Sequence, residues 1–377
     1  MRGWDRLLAG IALVVCACGD DARDLDAEAR DASQAGATGQ AGGGEAGRAN
    51  AGSSAGRDAA IGASGSGGAI GVAGGAAAGT SGAVDGGTAP VTDGGAGSGP
   101  DEEPLMGSFV ALTYNVAGLP EGLSSSMPAR FTPLIGPLLN GYELVFLQES
   151  WLTPEDNPFD LLGLRAYHEI LVAASEHPHK TVPADQPFGN DPSRPSALLG
   201  DGLNIFSRYP LAATTRIAWA TCVDTASDCL AFKGFSMTPA QLGGLPVHLY
   251  DLHMEAGGSA EDDAARALGI EQMVAFIEEH SADIAVIMAG DFNLHTEGEP
   301  AASQFADLVM RAGLTDACTE LECEDPGSID KVLVRSSAEL ELRVESWESE
   351  ADVFVSDMGE PLSDHLPLAV KIAWAAK

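Results

Sequence analysis

Along this chain, apolar runs stop at polar residues. Ile284 to Ala289 is unbroken and apolar, the mark of a strand buried on both faces, and it ends in Gly290-Asp291-Phe292-Asn293. Side chains alternate along a strand, so Asp291 and Asn293 are expected on the same side of its end if the strand geometry persists that far. Other apolar runs stop in the same way. Ser108 to Val116 predicts a strand with Asn115 near its end, and Glu143 to Glu149 a buried strand finishing in Gln148-Glu149. Val247 to His253 predicts another, and Leu203 to Ser207 a short one before the turn-forming Arg208-Tyr209-Pro210. Late strands are predicted over Ile329 to Val334, Leu340 to Val344 and Leu366 to Ala373, the last preceded by Asp364-His365. Between them lie helical patterns. Pro128 to Leu139 predicts a helix bent or ended near Pro137. Glu261 to His280 predicts the clearest helix, with Ala264, Ala267, Leu268, Val274 and Ile277 on its apolar face and Ser259 as N-cap. A shorter one spans Ala301 to Ala312.

One polar residue at a strand end is usually a turn former or a cap, and a lone histidine such as His253 is usually a hydrogen-bonded core residue. Asn115, Glu149, His253, Asp291, Asn293, Asp364 and His365 together offer oxygens and imidazoles at the ends of several buried strands. That placement suits a site for a cation, a water and a phosphate oxygen. His177, His179 and His295 fall in polar loop sequence and are expected to be solvated.

The first hundred residues have another texture. Arg2 and Arg6 precede a short apolar stretch, Leu7 to Val15, too short to span a bilayer. Val15-Cys16-Ala17-Cys18 resembles a bacterial lipobox, which implies lipid attachment at Cys18; plain signal cleavage after Ala17 is the alternative. Residues 19–104 are rich in Gly, Ala and Ser, and 23 of the chain's 46 glycines lie between positions 34 and 100. With few bulky apolar groups, such a segment cannot offset its ordering entropy. It is expected to be a disordered tether, with a reach on the order of 50 Å, leading to a catalytic domain over 105–377.

Charge narrows the partners. The chain carries 20 Lys+Arg against 55 Asp+Glu, a net −35. Residues 101–377 hold 14 of the bases and 44 of the acids, a net −30. That argues against charge-driven binding to duplex nucleic acid. Beyond Cys16 and Cys18, Cys222, Cys229, Cys318 and Cys323 form two close pairs. In an exported domain these read as two local disulfides; a zinc site is the rival, though the spacings are not Cys-x-x-Cys.

The motifs Thr113-Tyr-Asn115-Val, Phe146-Leu-Gln-Glu149, Asp251-Leu-His253, Gly290-Asp291-Phe-Asn293, Ser328-Ile-Asp330 and Ser363-Asp364-His365-Leu-Pro367 resemble, in order, those of the endonuclease/exonuclease/phosphatase superfamily. The resemblance covers residues 108–373. It implies an α/β fold, a four-layer α/β/β/α sandwich of two mixed β-sheets flanked by helices, and hydrolysis of phosphoesters with a divalent metal, Mg with Mn or Ca possible. It implies Glu149, Asn115 and Asp364 as metal ligands, Asn115 alternatively holding phosphate. Asp291 becomes the base or water-orienting residue, Asn293 a holder of phosphate or water, His365 and His253 donors to phosphate, and Asp330 the acid that orients His365. Where the family often carries Asp-Tyr, this chain has Asp330-Lys331, and Lys331 is expected to point to solvent.

Asp201 to Pro210, Lys233-Gly234-Phe235 and His253 to Gly257 resemble segments of the sphingomyelinase-like branch. The reading is an exported, metal-dependent phosphodiesterase, anchored to membrane through a lipid, monomeric, and favouring a phospholipid head group over nucleic acid. Trp151 and Trp219 are candidates for membrane contact or for the core. An exported nuclease and a non-catalytic surface binding module are the alternatives. A phosphatase acting on inositol phosphates lacks the expected cluster of Lys and Arg.

Overall fold

A computed structural model describes residues 105–377, apart from 120–123, 125, 153–163, 185–193, 195–196, 198 and 224–227. The export signal, Cys18 and the tether over 19–104 lie outside the described residues. Twelve strands form two six-stranded sheets among those described. The first sheet contains β1 (Met106–Asn115), β2 (Leu144–Gln148), β3 (His179–Lys180), β4 (Asn204–Ser207), β11 (Leu340–Ser349) and β12 (Leu368–Ala376), in the order β11-β12-β1-β2-β4-β3. The second contains β5 (Thr215–Ala218), β6 (Gly234–Leu242), β7 (Leu245–His253), β8 (Ala285–Asp291), β9 (Thr315–Asp316) and β10 (Asp330–Arg335), in the order β5-β6-β7-β8-β10-β9. Each sheet is mixed. β1 runs parallel to β2 and β7 parallel to β8, and the remaining pairs are antiparallel.

The layers follow from alternation. Phe109 and Ala111 of β1, Leu144 and Phe146 of β2, Val247 and Leu249 of β7, and Ala285 and Ile287 of β8 meet between the sheets in one apolar cluster. The opposite faces of the strands pack on helices. α1 (Pro128–Leu138) and α2 (Leu164–Ala174) cover the first sheet, with Phe131, Ile135 and Leu171 against Leu112, Tyr114 and Val145. α3 (Ala260–His280) and α4 (Ala301–Ala312) cover the second through Ile270, Met273, Ile277, Phe305 and Leu308. The expected four-layer sandwich is present. Each fully buried side chain of this size contributes about 1.5–3 kcal/mol, which is why strands buried on both faces read as continuous apolar runs.

Several local expectations need correction. On α3 the capping box of Ser259 and Asp262 is present, but the buried stripe is Ala265, Ile270, Met273, Val274 and Ile277. Ala264 and Leu268 face outward. Arg266 and Asp262 are buried on the same helix because each is hydrogen-bonded: Arg266 donates to the carbonyls of Glu255 and Gly257, and Asp262 accepts from Ser259 N–H. β5, β6 and α2 went unpredicted. In β6, Pro239 disguises the strand; it is tolerated because β5 stops at the pairing of Thr215 with Met237, so its missing N–H breaks no regular ladder there. Trp151 and Trp219 are both buried, which settles them as core residues. Lys331 is buried too. Asp330 faces the other sheet, so Lys331 faces the helices, with its ammonium 4.8 Å from the centre of the Phe305 ring. The two expected disulfides, Cys222–Cys229 and Cys318–Cys323, are formed.

His179 is half-buried and His295 exposed, but His177 lies in the core. Its Nε2 is 2.8 Å from the carbonyl of Tyr142 and its Nδ1 2.9 Å from Ser175 Oγ. Burial lowers its pKa. The unfolded chain therefore takes up this proton before the folded one does, and stability is lost as pH falls below about 6.5, the free-histidine value. Replacing His177 with alanine is expected to cost about 1–3 kcal/mol at neutral pH and to flatten the acid limb of a melting-temperature profile between pH 7 and 5. A variant whose acid limb matches the wild type would remove His177 as its cause.

Candidate active site

The interior between the sheets changes character at one end. Inward positions are apolar along most of each strand and polar at the last one or two. β1 reads Phe109, Ala111, Thr113, Asn115, and β7 reads Val247, Leu249, Asp251, His253. β8 ends its inward series on Asp291, and antiparallel β10 begins on Asp330, directly opposite Asp291. His253 is level with Asp291 across the parallel β7–β8 pair. Neighbouring strands thus end in reactive side chains at one height, and the loop between β11 and β12 brings His365 over them.

Asn115 joins the parts. Its Nδ2 lies 3.2 Å from Glu149 Oε1, 3.2 Å from Asp291 Oδ2 and 3.3 Å from His365 Nε2, while its Oδ1 accepts from Ala117 N–H at 3.1 Å. With its oxygen taken, this amide is presented as a donor. His253 Nε2 is 3.3 Å from Asp291 Oδ2, and His365 Nε2 is 3.7 Å from the same oxygen. His365 Nδ1 meets Asp330 Oδ2 at 2.9 Å, which fixes the ring and aims Nε2 at the pocket. Asn293 donates from its backbone N–H to Asp291 Oδ1 at 3.0 Å and from Nδ2 to Met254 O at 3.2 Å. Asp364 follows Ser363, whose hydroxyl donates to Asn115 O at 2.7 Å and lies 3.3 Å from Asp364 Oδ1. Asn115, Glu149, His253, Asp291, Asn293, Asp330, Asp364 and His365 therefore fall at one end of the interior, although Asn115 and His365 are 250 positions apart.

The backbone bends to make this possible. Glu149 and Asn293 adopt φ of +55° and +48°, conformations costing of order 1–3 kcal/mol for residues with a Cβ. Glu149 is held there because its carbonyl accepts from Gly118 N–H at 3.2 Å. A Cβ at Gly118 would sit 2.3 Å from that carbonyl oxygen, and one at Gly290 2.1 Å from Leu252 O. Only glycine permits either approach.

Burial prevails in disfavouring charge at Glu149, Asp291 and His253, and His365 is the exception. Burial, and then the carboxylate of Asp364, push Glu149 above the ordinary carboxylate range. Burial pushes Asp291 up to about 7, against the opposing pull of His365. Burial works to lower His365, but Asp330 and Asp291 outweigh it and hold the imidazole well above its usual value. His253 is pushed well below by burial and then by the charge of Lys233. Lys233 had no role assigned from sequence. It is a buried cation, 2.7 Å from Asp228 Oδ1, and Asp228 Oδ2 in turn accepts from Ala256 N–H at 2.6 Å. Its signal was a lysine beside Gly234-Phe235 in a domain short of bases.

The donor set fits a hard cation. Glu149 and Asp364 repel each other, as do Asp291 and Asp330, and a bound cation would relieve both. Asp330 Oδ1 is buried and accepts no hydrogen bond. Among the described residues, one group of three, Asp291, Asp330 and His365, has ligand atoms all within 4.8 Å of one another. The carboxylates of Glu149 and Asp364 form a second group of hard oxygen donors beside it.

Residues 112–365 match the model of the Endonuclease/Exonuclease/phosphatase family. The chain belongs to that family. A sphingomyelinase of Mycobacterium tuberculosis is 33% identical over 302 residues, covering 73% of this chain and 54% of the relative. The chain thus spans about half the length of that curated relative. Among solved structures of the fold, a humanized D. rerio TDP2 superposes with TM-score 0.52 at 18% identity, covering 70% of this chain and 98% of that one. A double mutant of the Staphylococcus aureus beta toxin with bound magnesium ions superposes with TM-score 0.50 at 16% identity, covering 70% and 99%.

Proposed function

We propose that this protein is a divalent-metal-dependent phosphodiesterase of the sphingomyelinase type, hydrolysing the P–O bond of a phospholipid head group. The observation that carries the hydrolase reading is Asn115, whose single amide touches Glu149, Asp291 and His365 and so unites the cation side with the base side. The choice of lipid is supported by the mycobacterial relative and by an acidic domain that repels long polyanions.

In this reading Glu149, with Asp364 beside it, would hold Mg²⁺ or a similar ion. A bound ion supplies Lewis-acid stabilisation to the phosphate oxygens. Asp291, within reach of Asn115, His253 and His365, orients the attacking water and takes its proton. His365, steadied by Asp330, and His253 donate to the phosphate oxygens as charge builds there. Lys233 adds a positive charge at the margin, fixed by Asp228.

The purified full chain with Mg²⁺ is tested against bis-p-nitrophenyl phosphate, sphingomyelin, phosphatidylcholine, plasmid DNA and inositol phosphates. Cleavage of the model diester and of a choline lipid, abolished by EDTA, is expected. Nicking of plasmid without lipid turnover would replace the lipid reading with a nuclease, and no turnover of any substrate would leave a binding module. We also propose export, a lipid at Cys18, the flexible tether over 19–104 and a monomeric state. Partition of the expressed protein into detergent, lost in Cys18→Ser, checks the anchor.

A further inference from the structure

A second polar layer lies just beneath the site. Thr113 and Asp251 are one inward position back from Asn115 and His253, and Gln148 is the last residue of β2; all three are completely buried. Gln148 Nε2 donates to Asp251 Oδ1 at 2.7 Å, and Thr113 Oγ1 donates to Gln148 Oε1 at 3.3 Å. β1 and β2 belong to one sheet and β7 to the other, so the Gln148–Asp251 bond spans the gap between the sheets. One step further in, the same strands contribute Ala111, Phe146 and Leu249, which pack as plain hydrocarbon.

An apolar trio in this layer would be cheaper. Gln148 and Asp251 give up water to be here, and Asp251 Oδ2 accepts no hydrogen bond. Burial pushes the Asp251 carboxyl well above its ordinary range, against the stabilising bond from Gln148. What a hydrogen bond adds over packing is direction: it fixes both the separation and the lateral position of the two groups. That matters here because the site is divided. Asn115 and Glu149 come from the first sheet, and His253, Asp291 and Asp330 from the second. Gln148 is joined by a peptide bond to Glu149, and Asp251 is two residues from His253 on the same face of β7. A shift at this tie passes to a reactive side chain through one or two residues of rigid strand.

We propose that Gln148 and Asp251 are positioning residues, whose mutual hydrogen bond sets the distance between the Glu149 side and the His253–Asp291 side of the site. The proposal rests on the phosphodiesterase reading above. A misplacement of about 1 Å between reacting groups costs about 10²-fold in rate.

Three variants test it. Asp251→Asn keeps an oxygen facing Gln148 Nε2, Asp251→Val removes it, and Gln148→Leu removes the donor. Asp251→Val and Gln148→Leu are each expected to lower kcat by about 10- to 100-fold with little change in KM. Asp251→Asn is expected to stay near the wild type, and the double variant Gln148→Leu/Asp251→Val to be no worse than either single change. A merely structural pair would lower the melting temperature and leave kcat per folded molecule unchanged, which would overturn the proposal. So would losses that multiply in the double variant, or an Asp251→Asn enzyme as slow as Asp251→Val. Should Asp251→Val fail to fold, Thr113→Val, which deletes only the hydroxyl holding the Gln148 amide, is read instead; an unchanged kcat there overturns the tie. Mn²⁺ binding measured calorimetrically without substrate gives a separate readout. Gln148→Leu weakens it if the tie places Glu149, and equal affinity counts against the proposal. A wild type that turns over no substrate refutes the hydrolase reading alone and leaves the Mn²⁺ comparison to decide the tie.

Discussion

Asp291→Asn is expected to lower phosphodiester hydrolysis by about 10²- to 10⁴-fold, the range for loss of a general base. The fold should not suffer. The substitution keeps the shape and an oxygen for Asn293 N–H, and although it forfeits the 3.2 Å bond from Asn115 Nδ2 it removes a buried negative charge that faces Asp330 across the β8–β10 pair. The melting temperature is therefore expected to hold or rise. That combination, a dead enzyme at least as stable as its parent, separates a catalytic carboxylate from a structural one. Measured kcat alongside thermal unfolding decides it, and retention of kcat within about tenfold of wild type would reassign the base to another group.

Glu149→Gln acts on the other half of the site. It leaves an oxygen near Asn115 Nδ2 and removes the charge that draws a cation. Changing partners one shell further out typically costs 10- to 100-fold in metal affinity, so loss of a direct ligand is expected to raise the Mg²⁺ concentration needed for half-maximal activity by at least about 100-fold. At saturating Mg²⁺, part of the activity returns. Titration of activity with Mg²⁺ after EDTA treatment reads this directly. A variant that saturates at the same concentration as the wild type would dismiss Glu149 as the ligand.

Much of the architecture was legible in one dimension, for a physical reason. Strands buried on both faces leave unbroken apolar runs, and Val286 to Ala289 could hardly be anything else. The site was legible because those runs end in residues that a core does not want. What failed was polarity paired at long range. His177 and Lys331 look solvated because histidine and lysine usually are; their partners, the carbonyl of Tyr142 and the ring of Phe305, lie 35 and 26 positions away. Leu268 looked like core on α3, yet the face that packs uses Ala265 and Gly269, small residues that carry little hydrophobic signal. The role of Lys233 depends on Asp228, and that of Asp251 on Gln148, 103 residues earlier in the chain. Spacing along a sequence carries no record of such pairings.

The gradient between the sheets, hydrocarbon at one end and reactive groups at the other, divides labour along the strands. Sequence drift in the connections that leave the reactive end, after β7, after β8 and before β12, can reshape what is recognised while the hydrocarbon end keeps the scaffold upright. For the proposed phosphodiesterase, those segments are the natural target for selecting new specificities in the laboratory.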